Sequence, residues 1–516
     1  MLTTICSITL IASLLFLMMT ILIPKSSMSD SFAQKWNTAG IWLSLFISAG
    51  FWMVILLNGN QELSIFTYQG LGLEFKLDSL SVTVYTMIAI IGLVVLRYSK
   101  NYLKGEKRYT NFFATISLTI AFVQMLVLSG NLATLFVAWV GTSIGLHQLI
   151  LFYKDRPKAQ LAAKKKFIVA RLGDASLIVT FGLIYAYFGT GNIESILSTT
   201  QALPLSEFSI GLELAMVFLV ISAALKSVQL PFHGWLIEVM ETPTPVSALL
   251  HAGLLNAGPF LMIRFSYLFD GSSAMIVLLI IGGMSAIFGA LSASAQPVIK
   301  TSLAYSSVAH MGFTLFLCGL GVYSAALLHL IAHSFYKAYA FLSAGELVNQ
   351  TKQKRVSNFR RKGNWTLTIV GLLSAVLLVD VFAFFWGVNL NTEPQLLIIS
   401  GIIFLGIIAL QLNTWDSENL GRSIFNLVLT SALVINSFFL FESALSNLLV
   451  GDIAPIAEPT LPLLVVAIAT FVMFTAIVLL FNWKSASGRG NRFSEWRIHF
   501  QNGLYINQFF NSRLSS

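Results

Sequence analysis

His329, His333 and Lys337 recur at steps of four residues in ALLHLIAHSFYKAYAF. Each step of four turns an α-helix about 40° beyond a full turn, so the three share one face over roughly 12 Å of rise. A stripe of groups that can take up and give back a proton is what a relay needs. The HxxxH pair could also ligate a metal or haem, but two ligands with no carboxylate or cysteine nearby make a poor site. Other ionisable side chains stand in equally apolar surroundings. Lys226 ends the run IGLELAMVFLVISAALK, and Asp174 follows Arg171 in FIVARLGDASLIVTFGLIY. His251 sits in VSALLHAGLLNAGPF, and Lys300 opens KTSLAYSSVAHMGF, which also holds His310.

Such residues are costly in lipid, about 2.5–3.5 kcal/mol for Lys, Arg or Asp at a helix centre. They persist where they face protein or water. Competing readings stand beside the functional one. Lone histidines such as His147 and His310 also serve as helix–helix hydrogen-bonding groups. Arg171 and Lys300 lie near span ends, where their heads can snorkel to the interface. Lys226 and Lys337 are deep, and packing does not require them. Pro231 follows Lys226 in KSVQLPFHGW and removes a backbone donor, so a break is expected there. Pro259 is expected to interrupt the next span after Asn256, Ala257 and Gly258. Broken membrane helices are tolerated where their freed backbone is buried in protein or faces a watery cavity, and they mark ion sites in transporters.

The elements that hold these residues must be membrane helices. The chain has 516 residues, 56% hydrophobic and 10% charged, with a mean hydropathy of +0.80, more apolar surface than a soluble fold of this length can hide. Apolar stretches long enough to span a bilayer fall near 3–23, 39–57, 77–96, 110–129, 132–153, 167–188, 210–240, 244–267, 274–292, 300–320, 324–348, 365–388, 396–412, 424–446 and 460–483. The expected fold is therefore an all-α polytopic membrane protein of about 15 transmembrane helices, within a range of 13–16. Residues 2–23 lack a basic leader and a small-residue cleavage site and read as a first span. Cys6 and Cys318 both lie in apolar runs, so no disulfide framework is implied.

The net charge of +9 is a loop bias, not a nucleic-acid footprint. It concentrates in loops 97–109, 154–166 (Lys154, Arg156, Lys158, Lys164, Lys165, Lys166) and 351–362, and in the tail 484–516. Fifteen spans put all of these on one side and the acidic stretch 451–459 on the other. The positive-inside rule then predicts a cytoplasmic C-terminus in an inner (cytoplasmic) membrane. No GxGxxG, P-loop or nucleophile signature is present. The chain is not read as an enzyme in its own right, and no cofactor, metal or nucleic-acid partner is assigned to it.

The stretch KSVQLPFHGWLIEVMETPTPVSALLHAG resembles the signature of the antiporter-like membrane subunits of respiratory NADH dehydrogenase (complex I) and of multisubunit sodium/proton antiporters. AAKKKFIVARLGD, KTSLAYSSVAHMG and HLIAHSFYKAYAFLSAG support it, and WRIHFQNGLYINQFF resembles the end of the largest such complex I subunit. The resemblance implies two inverted five-helix repeats, each with a broken helix, the first broken near Pro231. On that pattern residues 1–109 are N-terminal helices, 110–240 and 244–412 the two repeats, 413–483 C-terminal helices and 484–516 a basic tail. It also implies roles: Lys226 as the pumping lysine, Asp174 near the modulating charge pair, and His251 with the His329–His333–Lys337 stripe as the central relay. Lys300 is counted with them as a candidate ion-path residue.

Two departures matter. The family places a glutamate after the tryptophan of its fifth helix, where AWVGTSIG has Val140. It also expects a lysine or glutamate in a broken twelfth helix, where WTLTIVGLLSAVLLVDVFAFFWG offers only Asp380. The chain is also expected to lack a long lateral helix after its last span. With these differences it resembles the membrane subunits of the DAB inorganic-carbon accumulation complexes. That resemblance implies a zinc-containing soluble partner similar to a β-carbonic anhydrase on the cytoplasmic side. Protons or sodium ions flowing inward would drive carbon dioxide hydration there. A respiratory or Mrp-type subunit, and a non-conducting membrane anchor, are the alternatives.

Overall fold

The computed structural model describes residues 14, 30–202, 209–345, 365–388, 392–414, 420–487 and 498–502. The expected first span at 3–23 (apart from residue 14), the basic loop 351–362 and most of the tail lie outside the described residues. Every expected span from 39–57 onward lands on a helix. In chain order these are α1 (Asp30–Asn58), α2 (Ser79–Tyr102), α3 (Tyr109–Val127), α4 (Leu132–Ile150), α5 (Pro157–Phe188), α6 (Ile193–Ala202), α7 (Ile210–Lys226), α8 (Gly234–Glu238), α9 (Thr244–Ala252) and α10 (Ala257–Arg264). They continue as α11 (Ala274–Ala295), α12 (Ile299–Gly319), α13 (Tyr323–Leu342), α14 (Trp365–Phe385), α15 (Pro394–Thr414), α16 (Leu420–Leu448) and α17 (Leu461–Ser487). Eight of the described helical stretches are long and apolar enough to cross a bilayer. This is a multi-pass membrane protein.

The all-α architecture stands, with one correction in detail. Strands β1 (Gln61–Tyr68) and β2 (Leu71–Leu77) pair antiparallel between α1 and α2. Gln69 and Gly70 both turn at positive φ, 50° and 72°, which suits a two-residue hairpin and is strained for any residue with a side chain except at such a turn. The hairpin seats its second strand on the bundle. The Thr134 hydroxyl accepts the Glu74 N–H at 3.0 Å and donates to the Gly72 carbonyl at 2.8 Å.

A second correction concerns the basic stretch 154–166. Pro157 opens α5, at a position where its missing N–H costs nothing, and alanine-rich AQLAAKKKF continues it. The helix runs 32 residues, about 48 Å, well beyond a hydrocarbon core of about 30 Å. Lys164, Lys165 and Lys166 are therefore helical, and Lys165 and Lys166 are buried. The third correction is the interruption in the next span. Pro259 lies inside the first turn of α10, where a proline is tolerated. The chain breaks earlier, at Gly253, with a single 3-10 turn at Leu254–Asn256.

The break expected at Pro231 is present. Helix α7 ends at Lys226 and the chain resumes helix only at Gly234. Its freed backbone is satisfied inside the protein, since the Ser285 hydroxyl accepts the Leu230 N–H at 3.2 Å and the Gln229 N–H reaches the Ala224 carbonyl at 2.9 Å. Ser227 ties this break to the next, donating to the Leu255 carbonyl at 2.9 Å. Gly258 makes that approach possible: a Cβ there would meet Ser227 Oγ at 2.1 Å. The two helix breaks thus sit back to back.

A fully buried ionic knot clamps the end of the bundle that carries the hairpin. Asp78 caps α2, its Oδ1 accepting the Ser81 N–H at 2.7 Å, and its carboxylate binds the Arg264 guanidinium and, at 3.1 Å, the Lys76 ammonium. Lys76 also reaches Glu194 at 2.6 Å. Burial works against the Asp78 charge, but Arg264 and Lys76 overcome it and hold the carboxyl well below its usual range.

Candidate functional site

Lys226 is the last residue of α7 and spends its three donors on α4. Its Nζ donates to the Trp139 carbonyl at 3.0 Å, Thr142 Oγ1 at 2.9 Å and Ser143 Oγ at 3.0 Å. It also lies 4.2 Å from the centroid of the Trp139 ring. All of these partners are neutral. A cation held by dipoles and a π face is desolvated without being neutralised, so either charge state can be accommodated.

Asp174 stands one side chain away. Its Oδ1 accepts the Trp139 indole N–H at 3.0 Å, and its Oδ2 pairs with Arg171 at 2.6 Å on the same helix. Trp139 therefore separates the acid from the lysine while touching both. Arg171 keeps 40% of its side chain exposed and belongs to this pair, one turn of α5 before the acid.

Lys166 was not among the residues expected at the site. Its Nζ donates to the Ser143 carbonyl at 2.5 Å, so Ser143 serves both lysines, one through its hydroxyl and one through its carbonyl. Both lysines line a cavity of about 30 Å³ with Trp235, Leu250, Leu254 and Leu255, enough for ordered water. The preceding residue, Lys165, pairs with Glu238 at 2.5 Å. The cavity carries the first lysine site up to the residue that precedes His251.

The central axis is a separate constellation made by α9, α12 and α13. His251 is fully buried, its Nδ1 hydrogen-bonded to Ser307 Oγ at 2.8 Å and its ring stacked on Phe341 at 4.3 Å. The neighbouring Ser306 hydroxyl accepts from Lys337, which also donates to the Leu303 carbonyl at 2.9 Å. Adjacent serines of α12 thus hold His251 and Lys337. His333 is one turn along α13, and His329 one turn beyond it, so the expected stripe is a single face. Asn256, from the second break, donates to Ser334 Oγ at 2.7 Å beside that face. His310 joins from α12, 3.3 Å from His329 between ring nitrogens.

Lys300 is not brought to the axis. It stands half-buried in the first turn of α12 with no hydrogen bond or ion pair among the described residues. Asp380 of α14 is exposed. Trp139, Thr142, Ser143 and Lys166 escaped sequence reasoning. The tryptophan and hydroxyls carry no charge to draw notice, and Lys166 was absorbed into a basic run.

Residues 129–387 match the family described as NADH:quinone oxidoreductase/Mrp antiporter, TM, and residues 67–113 match the NADH-ubiquinone oxidoreductase (complex I) chain 5 N-terminus. The chain is 34% identical over 451 residues to the "Probable inorganic carbon transporter subunit DabB2" of Halothiobacillus neapolitanus, covering 85% of this chain and 79% of that protein. It is 35% identical over 324 residues to NADH-quinone oxidoreductase subunit L of Buchnera aphidicola, covering 61% of this chain and 53% of that one. Among solved structures, the Mrp complex from Dietzia sp. aligns with a TM-score of 0.63 at 21% identity, over 96% of this chain and 59% of that chain.

Proposed function

Because the chain belongs to the antiporter-like membrane subunits of the NADH:quinone oxidoreductase/Mrp family, we propose that it conducts a cation in a multisubunit complex, and that the complex takes up inorganic carbon. The observation that carries the reading is Lys226, a half-buried ammonium whose direct partners are all neutral oxygens and a ring. An ammonium in contact with a carboxylate holds its proton; one held by carbonyl and hydroxyl oxygens alone gives it up more readily. Val140 fits this, since it stands on the same turn as Trp139 and puts no carboxylate there.

Protons, or sodium ions in exchange, would reach Lys226 through the cavity it shares with Lys166. They would pass by His251 and the serine pair to Lys337, then along His333 and His329. Asp174, coupled through Trp139, sets the field at the lysine. Easy discharge of Lys226 favours downhill flow, so the complex consumes an ion gradient. The similarity to inorganic carbon transporter subunits over most of the chain supports the cargo. Carbon dioxide hydration would take place in a zinc-containing, carbonic-anhydrase-like soluble subunit docked on the side of the basic loops and the C-terminus, which the positive-inside rule makes cytoplasmic.

An uncoupler tests this directly. Collapsing membrane potential and pH gradient is expected to abolish carbon accumulation in cells that depend on the complex, and undiminished accumulation would contradict the reading. Gentle solubilisation is expected to bring down a zinc-containing soluble protein. Recovery of other antiporter-like membrane subunits without one would favour the respiratory or Mrp-type assembly.

A further inference from the structure

His310, His329 and His333 form a cluster that the proton path does not need in full. One ring nitrogen from each lies within 4.8 Å of the others. The rings are 5.3 Å apart for His310 and His329, 5.0 Å for His310 and His333, and 6.2 Å for His329 and His333. The sequence offered only the HxxxH pair of α13. Antiparallel packing of α12 against α13 supplies the third imidazole.

Three features mark the cluster as a ligand set. Tetrahedral coordination with metal–nitrogen bonds of about 2.0–2.1 Å puts ligand nitrogens ~3.3 Å apart, and His310 Nδ1 and His329 Nε2 are already 3.3 Å apart. Among the described residues both ring nitrogens of His333 are buried without a hydrogen-bond partner, a costly state for polar atoms that a bound ion relieves at one of the two. Lys337, the nearest cation on the same helix face, is engaged by the Leu303 carbonyl and the Ser306 hydroxyl, so its ammonium does not take the imidazole lone pairs. Neutral imidazole suits zinc and its neighbours in the first transition row, and three histidines with one open position are a known zinc arrangement.

We propose that His310, His329 and His333 bind a divalent transition metal ion of the zinc class, and that the bound ion arrests proton passage along the axis. Each nitrogen lone pair given to the metal is one that a proton can no longer use. The binding half stands on the geometry alone; the arrest half rests on the proton path proposed above.

The full-length chain, purified in detergent with chelator and then freed of it, is titrated with Co²⁺ and followed by visible absorption. The proposal expects the intense bands of tetrahedral Co²⁺ to saturate at about one equivalent and to be discharged by Zn²⁺. His310→Gln is expected to weaken binding at least about tenfold, whereas His147→Gln on α4 leaves it unchanged. A wild-type spectrum that stays that of octahedral aqueous Co²⁺ overturns the site without recourse to any variant. So does a folded His310→Gln chain that binds as tightly as wild type. Ion flux into proteoliposomes is then measured with Zn²⁺. Inhibition of wild type that His310→Gln escapes supports the arrest, and full flux through metal-loaded protein overturns that half while leaving the binding half in place.

Discussion

Arg264 and Lys226 are both cations set deep in apolar helices, and the protein treats them in opposite ways. Arg264 meets the Asp78 carboxylate, which Lys76 also binds, and all three side chains are buried, while Glu194, the second partner of Lys76, is half exposed. Lys226 meets a carbonyl, two hydroxyls and an indole ring. A buried pair is destabilised severely when either partner is lost, so its charge states are fixed. A buried cation with only dipolar partners has no such lock. The comparison separates charges that hold the fold from charges that can change, and Lys337 falls on the side of Lys226 because its partners too are a carbonyl and a hydroxyl.

The largest effect is expected at the locked pair. Asp78→Ala strands Arg264 without its carboxylate, leaves Lys76 only Glu194, and should cost about 3–5 kcal/mol, read as a large loss of thermal stability and yield in detergent. Lys226→Ala should leave both nearly unchanged, because removing a half-buried charge with no carboxylate partner relieves desolvation. Equal losses in the two variants would erase the distinction.

Adding a lock is the converse test. Val140→Glu places a carboxylate on the turn of α4 that contacts Lys226. An opposite charge at short range is worth about one unit or more in proton affinity, so ion flux should fall roughly tenfold with the fold intact. Unchanged flux in a well-folded Val140→Glu chain would separate that position from the lysine.

The smallest effect sharpens the contrast among acids. Asp270, in the loop before α11, has no cation to offset its burial, which pushes its carboxyl up from 3.8 to about 6, opposed only by the Gly271 N–H. The folded chain then binds this proton more tightly than the unfolded chain. Its contribution to stability is complete below about 3.8 and is lost as pH rises through about 6. Asp78 runs the other way: its contribution is present above the ordinary carboxylate range and is lost as pH falls. Asp270→Asn should therefore raise the melting temperature slightly at pH 7.5, with the gain vanishing toward pH 4. A gain that persists at low pH would assign it to something other than this charge.

What could be read from the sequence divides along the same line. Lys226, His251, His333 and Lys337 stand out as ionisable residues in apolar runs, and Pro231 announces a break, because single-residue chemistry and helical period carry those signals. The partners of Lys226 were not visible. Trp139, Thr142 and Ser143 are unremarkable in a membrane helix, and only the reach of Lys226 from the end of α7 to α4 turns them into a site. Lys166 reads as loop charge until α5 is seen to begin at Pro157. His310 reads as a lone polar group until α12 lies against α13. The break at Gly253 escaped because Pro259 is the louder signal, although a proline in a first turn breaks nothing. The hairpin at 61–77 escaped because its short alternating strands are weak beside the apolar spans.

The central claim is that Lys226 is the switched site of a downhill ion path. Its most direct test is ion flux into proteoliposomes of the purified complex under an imposed pH gradient, wild type beside Lys226→Ala at equal incorporation and matched melting temperature. The account predicts flux at the level of empty liposomes for Lys226→Ala. Wild-type flux through that variant would contradict it.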